Sequence, residues 1–141
     1  MYCLKDKTFV IMGATSGIGN ALALKLSAYG AKLVLTGRDS NALQMIASNI
    51  TSPKQSVVID VSSDDYEELL TREFLRAKES LGVDTFNGGI YCAGISPLIP
   101  LRGITEKHIE QIFKVNYSGA VIFSKLLASK KFRSEGSTSI V

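Results

Sequence analysis

Three glycines near the start of the chain are spaced so that they could bind a phosphate or pyrophosphate group. Gly13, Gly17 and Gly19 follow the apolar run Thr8–Met12 and precede a stretch with helical periodicity. This order predicts a strand, a glycine turn and a helix. Glycine lets the backbone approach a ligand closely, and a helix N-terminus presents unpaired N–H groups and a positive dipole end. We therefore expect an anion site, against the alternative of a glycine-rich connection without a ligand.

Each glycine of this turn has its own predicted role. Gly13 would make the tight turn, Gly17 would admit the pyrophosphate, and Gly19 would allow the helix to pack closely on the strand. We assign to the same cofactor-binding loop the intervening residues Thr15, Ser16 and Ile18. The apolar face predicted for the following helix consists of Ile18, Leu22, Leu26 and Tyr29, with Ala21 between them.

The residue after the second predicted strand bears on the choice between two dinucleotides. Residues 31–36 have the pattern of a buried strand, and Arg38 follows them with no Asp or Glu at the strand end. An acidic residue in this place would hold a ribose 2′-hydroxyl, whereas an arginine accommodates a 2′-phosphate. Arg38 therefore favours NADP over NAD, and the alternative is a surface arginine in a turn. Asp39 comes one residue late and is better placed as the cap of the next helix.

Two further polar residues fall where predicted elements end. Asp60 closes the third predicted strand, where its carboxylate could accept a hydrogen bond from an adenine amino group with the Val61 backbone nearby. Capping of the next helix is an alternative of similar weight. Asn116 lies between two helical stretches, where an asparagine is unfavourable unless its amide or the local backbone is used. We interpret it as a kink that holds an ordered water, against a simple boundary between two helices.

These residues are positioned by alternating strands and helices. The predicted strands cover residues 8–12, 31–36, 56–61, 89–92 and 138–141. The predicted helices begin near Ile18, Asn41, Tyr66, Lys107 and Asn116, the fourth capped by Thr105 and the last reaching about Phe132. Such alternation is typical of an α/β fold, a Rossmann-like doubly wound parallel sheet, here ending at the start of its fifth strand. Ligands of such sheets bind beyond the carboxyl ends of the strands.

Composition narrows the class of protein. A length of 141 residues suits a single domain, and 45% apolar and 21% charged residues are ordinary for a globular chain. A net charge of +3 without a basic stripe argues against nucleic acid, and no apolar stretch is long enough for a membrane span or a signal peptide. Cys3 and Cys92 form no disulfide framework, so we expect a cytoplasmic protein. No metal site can be assembled around the single histidine, His108.

Five motifs in register resemble those of the short-chain dehydrogenase/reductase family. They are GATSGIG at 13–19, TGR at 36–38, DVSS at 60–63, CAG at 92–94 and VNYSG at 115–119. The resemblance implies that the glycine loop binds the cofactor's pyrophosphate and that the arginine after the second strand goes with NADP. It implies that Asp60 and Val61 contact adenine and that Ala93 and Gly94 lie along the cofactor, and we assign Cys92 before them to the cofactor-binding residues as well.

The resemblance also implies a reaction. Family chemistry is hydride transfer between a nicotinamide and the carbon of a small carbonyl or alcohol substrate. Asn116 matches a member of the family's catalytic tetrad, in which it holds a water in the proton relay. The helix from 116 to 132 is the candidate surface for a homo-oligomer, although its apolar face could equally cover the sheet.

The chain departs from the family pattern at several points. Met12 stands where threonine is common, and Tyr91 and Cys92 stand where two asparagines are common. The catalytic Tyr-x-x-x-Lys occurs nowhere, and the catalytic serine normally follows the strand that begins at 138–141. We therefore expect the chain to be the N-terminal, cofactor-binding part of an NADP-dependent oxidoreductase, inactive by itself. The alternative is a non-catalytic nucleotide-binding or partner-binding module.

Overall fold

Parallel strands interleaved with helices make up the part of the chain that the computed structural model describes, residues 3–15 and 17–141. The strands are β1 (Thr8–Met12), β2 (Lys32–Gly37), β3 (Lys54–Val58), β4 (Gly88–Tyr91) and β5 (Ser139–Ile140). The α-helices are α1 (Gly17–Ala28), α2 (Ser40–Asn49), α3 (Tyr66–Leu81), α4 (Glu106–Phe113) and α5 (Gly119–Ala128). A 3₁₀ turn, Leu101–Gly103, precedes α4, and a π-helical segment, Lys114–Ser118, joins α4 to α5. Along these described ranges no helix has the length and apolar character that crossing a bilayer requires.

The strands form one sheet in the order β3–β2–β1–β4–β5, with every neighbouring pair parallel. Met12 at the end of β1 lies opposite Thr36 of β2 on one side and Tyr91 of β4 on the other. The sheet grows in one direction from β1 to β3 and in the other from β4 to β5. A crevice is expected at the carboxyl edge where that direction reverses. This architecture confirms the predicted α/β, Rossmann-like fold.

Two apolar layers cover the two faces of the sheet, because successive residues of a strand point to opposite faces. On one face, Phe74 of α3 lies among three other rings. The centroid of its ring is 5.4 Å from that of Phe86, 6.2 Å from that of Phe123 and 5.4 Å from that of Phe132, each in an edge-on arrangement. On the other face, residues of α1 and α2 pack against β1 and β2. The sheet is therefore covered by helices on both faces, and its carboxyl edge carries the loops.

The buried face of α1 differs from the one that its apolar periodicity predicts. The residues that it buries are Gly19, Ala23 and Ser27. Ile18 is 74% exposed, Tyr29 is 38% exposed, and Ala21 is also exposed, so their assignment to the inner face was wrong. Leu22 and Leu26 are half-buried at the edge of the contact. Small side chains let α1 approach the sheet closely, and such residues give little hydrophobic signal.

Two predicted boundaries were also wrong. The third strand covers Lys54–Val58, so Asp60 lies beyond the strand and not at its last position. The last helix ends at Ala128, because Ser129 takes an extended conformation with ψ 149°. Phe132 then folds back into the core on a turn, where it is 1% exposed.

The Thr105 cap of α4 is confirmed, since its hydroxyl accepts from the His108 N–H.

Replacing Phe74 with alanine should lower the free energy of unfolding by about 3–5 kcal/mol, because it empties the centre of the aromatic cluster. Chemical denaturation followed by circular dichroism measures the change. Leu98→Ala is the control: that side chain is fully exposed in a loop outside the core, and its loss should cost under about 1 kcal/mol. Equal losses in the two variants would contradict the placement of the core.

Candidate functional site

A groove opens at the carboxyl edge of the sheet, where the loops after β1, β2, β3 and β4 meet. It is lined by Met12, Gly13, Thr15, Gly37, Arg38, Ile59, Asp60, Val61, Cys92, Ala93, Gly94, Ile95 and Val115. The groove holds about 570 Å³ of space free of protein atoms, its open mouth to solvent included. Segments that are far apart in the sequence, each predicted to touch a cofactor, therefore border one cavity.

Gly13 allows the loops after β1 and β4 to touch. Its φ is +83°, a conformation that favours glycine. A Cβ at this position would lie 2.7 Å from the backbone nitrogen of Ala93, which is closer than real contacts allow. The turn is also fastened to β2, because the Ala14 N–H donates to the Thr36 carbonyl at 2.8 Å. The floor of the groove is thus made of backbone that lies in close contact.

The other two glycines of the turn differ in their surroundings. Gly17 has φ +53°, and among the described residues beyond its chain neighbours no atom would lie within 4 Å of a Cβ there, so this side of its backbone is open. A Cβ at Gly19 would lie 2.1 Å from the Gly13 carbonyl oxygen, so α1 packs directly on the turn. Ile18, between them, is exposed. This geometry suits the three predicted roles, which stay predictions because no bound ligand tests them.

The predicted cofactor-binding loop also includes Thr15 and Ser16, of which the structure describes only Thr15. The methyl group of Thr15 packs on the end of β2, since a Cβ at Gly37 would come within 2.5 Å of it. Thr15 therefore borders the groove and fixes the spacing between the turn and β2. Ser16 lies outside the described residues.

Arg38 and Asp60 face the groove from neighbouring strand ends. Arg38 is exposed, and among residues 3–15 and 17–141 no carboxylate lies within 4.0 Å of its guanidinium. The Asp60 carboxylate accepts from the Ser62 N–H at 2.8 Å and from the Ser62 hydroxyl at 2.7 Å. Partial burial acts to raise the pKa of Asp60, but these two hydrogen bonds and the charges of Arg38 and Lys114 outweigh it and hold the pKa below its ordinary value. The carboxylate is therefore ionised at neutral pH.

The same contacts decide between two interpretations of Asp60. The cap of α3 is Asp65, so the helix-capping alternative was wrong. Asp60 instead closes the turn that follows β3, with Ser63 N–H donating to its carbonyl at 3.2 Å. Val61, next in the chain, is 6% exposed and presents its side chain to the inside of the fold. Contact of either residue with adenine stays a prediction.

The loop after β4 forms one wall of the groove. The Cys92 N–H donates to the Met12 carbonyl at 2.7 Å, which ties the loop to the end of β1. Burial raises the pKa of the Cys92 thiol, so it stays neutral and acts as a small apolar lining residue. Ala93 is half-buried and Gly94 is exposed, and both border the cavity.

Asn116 fastens this loop to the joint between α4 and α5. Its Oδ1 accepts from the Ile95 N–H at 2.8 Å, and its Nδ2 donates to the Ile95 carbonyl at 2.9 Å. The joint is a π turn and not a plain boundary between two helices, because the Gly119 N–H donates to the Lys114 carbonyl five residues earlier. Such turns recur at functional sites. The carboxamide is engaged with the loop, and its proposed hold on a water stays a prediction.

Sequence reasoning missed two residues of this region. Ile95 is not among the predicted site residues, although both of its backbone groups pair with Asn116. Tyr91 was noted only as a departure from a motif, although its hydroxyl donates to the Val115 carbonyl. Neither contact has a local sequence signal, since each joins residues more than 20 positions apart.

Comparison with known proteins places these motifs in one family. The family model described as short chain dehydrogenase matches residues 7–141. The chain is 31% identical over 141 residues to an oxidoreductase of Fusarium equiseti, covering 95% of this chain and 52% of that protein. It is 26% identical over 126 residues to a very-long-chain 3-oxoacyl-CoA reductase of Coccidioides immitis, covering 88% of this chain and 36% of that protein.

Solved structures show the same fold. A short-chain dehydrogenase/reductase of Brucella melitensis, titled glucose/ribitol dehydrogenase, superposes with a TM-score of 0.84 at 25% identity, over 99% of this chain and 55% of that chain. A citronellol catabolism dehydrogenase of Pseudomonas aeruginosa superposes with a TM-score of 0.82 at 24% identity, over 98% and 56%. The chain thus spans about half the length of the Fusarium relative and of these two structures.

Gly19→Ala should destabilise the fold by about 1–3 kcal/mol, because the added methyl group would overlap the Gly13 carbonyl oxygen and push α1 from the turn. Gly136→Ala is the matched control, since nothing would lie within 4 Å of its Cβ. Urea denaturation of both variants measures the difference. A Gly19→Ala protein as stable as the control would show that α1 does not pack on the turn as described.

Proposed function

The chain belongs to the short-chain dehydrogenase family, and from that premise we propose that it binds NADP(H) in the groove at the carboxyl edge of the sheet. It would supply the cofactor-binding half of an oxidoreductase that moves a hydride between the nicotinamide and the carbon of a small carbonyl or alcohol substrate. The observation that carries this proposal is the convergence of the glycine turn, Arg38, Asp60 and the loop after β4 on one cavity. The dinucleotide supplies the hydride chemistry when bound, and the protein binds and orients it.

The pyrophosphate would lie at the glycine turn. The open backbone of Gly17 leaves room for the phosphates to approach. The N-terminus of α1 points its unpaired N–H groups and positive dipole end toward the same place. The first turn of α1 carries no carboxylate that would repel an anion. These features favour a phosphate-bearing ligand over a neutral one.

The 2′-phosphate of NADP would lie at Arg38. Its exposed guanidinium has no carboxylate within ion-pair distance in the described chain, so a bidentate contact with a phosphate would not have to break an existing ion pair. The end of β2 also lacks the carboxylate that would hold a free 2′-hydroxyl. Both features support NADP over NAD.

The adenine would lie beyond Arg38, against the segment after β3. Ile59 and Val61 border the cavity with apolar groups. The ionised Asp60 carboxylate between them can accept a hydrogen bond from an amino group. This segment therefore combines an apolar surface with one acceptor, which suits a base that carries an exocyclic amine.

The alternative function is nucleotide binding without turnover. Of the family's catalytic residues, this chain has Asn116, but Tyr-x-x-x-Lys does not occur in its 141 residues. We therefore propose that this chain alone binds the cofactor and does not turn over substrate. The two relatives described above, an oxidoreductase and a reductase, favour an oxidoreductase for the whole protein. Both described cysteines are free thiols, which supports a reducing compartment such as the cytoplasm.

We further propose that two copies associate through an apolar stripe along α4, the π segment and α5. The stripe consists of Ile109, Phe113, Tyr117 and Val121, whose exposed fractions are 47%, 61%, 64% and 50%. A row of exposed apolar side chains at four-residue spacing is unusual on a surface that nothing covers. The stripe overlaps the first part of the 116–132 helix, which the sequence predicts as an oligomer surface. It continues from there onto α4.

The cofactor assignment is tested by titrating NADPH and NADH against the wild type and Arg38→Asp. The wild type should bind NADPH about tenfold or more tightly than NADH, as expected for a charge-assisted hydrogen bond to the 2′-phosphate. Arg38→Asp should lose that preference. Arg102→Asp, an exposed arginine away from the groove, is the control for net charge. Tighter binding of NADH by the wild type would show that the NADP assignment is wrong.

Self-association is tested by light scattering coupled to gel filtration. Phe113→Asp should weaken the dimer by about tenfold or more, since it places a charge in the middle of the stripe. Leu98→Asp is the control, because that side chain is fully exposed in a loop outside the stripe. Unchanged dimerisation in Phe113→Asp would rule out this surface.

A further inference from the structure

We propose that Tyr91 is a positioning residue whose hydroxyl fixes the backbone register of the π segment, and so holds Asn116 and the loop after β4 in place. Its importance for ligand binding rests on the proposed function, since that loop is one wall of the groove assigned to the dinucleotide. The contact itself is a feature of the fold and can be tested without a ligand.

The register of the π segment depends on the hydrogen bond that the Val115 carbonyl accepts. In an α-helix the Gly119 N–H would donate to Val115, four residues earlier. Here it donates to Lys114, five residues earlier, and this releases the Val115 carbonyl. The Tyr91 hydroxyl donates to that carbonyl. Val115 is 7% exposed, and a buried carbonyl without a donor is unfavourable. The tyrosine therefore stabilises the π register relative to the α register.

The residues around Tyr91 leave room for its hydroxyl and hold its ring in place. A Cβ at Gly119 would lie 2.4 Å from the Tyr91 Oη and 2.2 Å from a methyl carbon of Val61, so only glycine leaves room for the hydroxyl. The ring packs against Phe123 with centroids 5.6 Å apart. Burial raises the pKa of Tyr91 to about 12. The phenol thus stays protonated and remains a donor throughout the physiological range.

Register matters because Asn116 is the next residue after Val115. A return to the α register would turn Asn116 by about 100° around the helix axis relative to α5. Its paired hydrogen bonds to Ile95 would then break. Tyr91 and Ile95 flank residues 92–94, so the two contacts hold both ends of the short loop that borders the groove.

Amide hydrogen exchange by NMR tests the proposal on the 141-residue chain. Tyr91→Phe removes only the hydroxyl, and the Ile95 amide should then exchange about tenfold faster or more. The Asn116 side-chain amide signals should shift, while the Val10 amide in β1 should keep its rate, which separates a local effect from global destabilisation. Tyr29→Phe is the control, since that ring is 38% exposed and lies outside both the groove and the proposed dimer stripe. Wild-type behaviour of Ile95 and Asn116 in Tyr91→Phe would overturn the proposal.

A measurement on the unmodified chain covers the case in which Tyr91→Phe fails to fold. The wild type should show a slowly exchanging Tyr91 hydroxyl proton with a nuclear Overhauser contact to the α protons of Gly119. If no such proton is seen, the proposal is wrong.

Titration with NADPH separates this proposal from the proposed function. Tyr91→Phe should bind NADPH about three- to tenfold more weakly than the wild type, and the control Tyr29→Phe should bind it as well as the wild type. If the wild type binds no NADPH but Tyr91→Phe still alters Ile95 and Asn116, the cofactor assignment fails and the positioning role stands. If the wild type binds NADPH and Tyr91→Phe alters neither residue, the positioning role fails alone.

Discussion

The close approach of Gly13 to the backbone of Ala93 is the constraint on which the groove depends. A side chain at Gly13 would overlap the loop after β4, and a side chain at Gly19 would overlap Gly13 itself. The ends of β1 and β4 and the start of α1 can meet only because these positions lack a Cβ. Since the sheet reverses its growth between β1 and β4, this contact closes the floor of the crevice where ligands of such folds bind.

The electrostatics of the groove follow from the same arrangement. The N-terminus of α1 and the Arg38 guanidinium bring positive charge to the groove. The Asp60 carboxylate is kept ionised by its hydrogen bonds to Ser62 and by nearby cations. A ligand that fits must therefore carry anionic groups near α1 and Arg38 and a hydrogen-bond donor near Asp60. NADP has this distribution of charge, and this agreement supports its assignment more than any one motif does.

Much of the fold could be predicted because its signals are local. β1 is a continuous apolar run, and α3 shows a clear amphipathic period bounded by Gly82, whose φ is +59°. The inner face of α1 could not be predicted, because the residues that it buries are glycine, alanine and serine. The contact from Tyr91 to Val115 could not be predicted either. It requires a π turn, a shift of backbone register that no spacing of side chains encodes.

Protection of Cys92 from alkylation tests the central claim, binding of a dinucleotide in the groove, most directly. Cys92 lines the groove, whereas Cys3 is exposed and lies outside it, so one mass-spectrometric experiment reads the site and an internal control. At alkaline pH, where the reactive thiolates form, and at a NADPH concentration ten times its Kd, alkylation of Cys92 should slow by about tenfold while that of Cys3 stays unchanged. An unchanged rate at Cys92 under saturating NADPH would contradict the account.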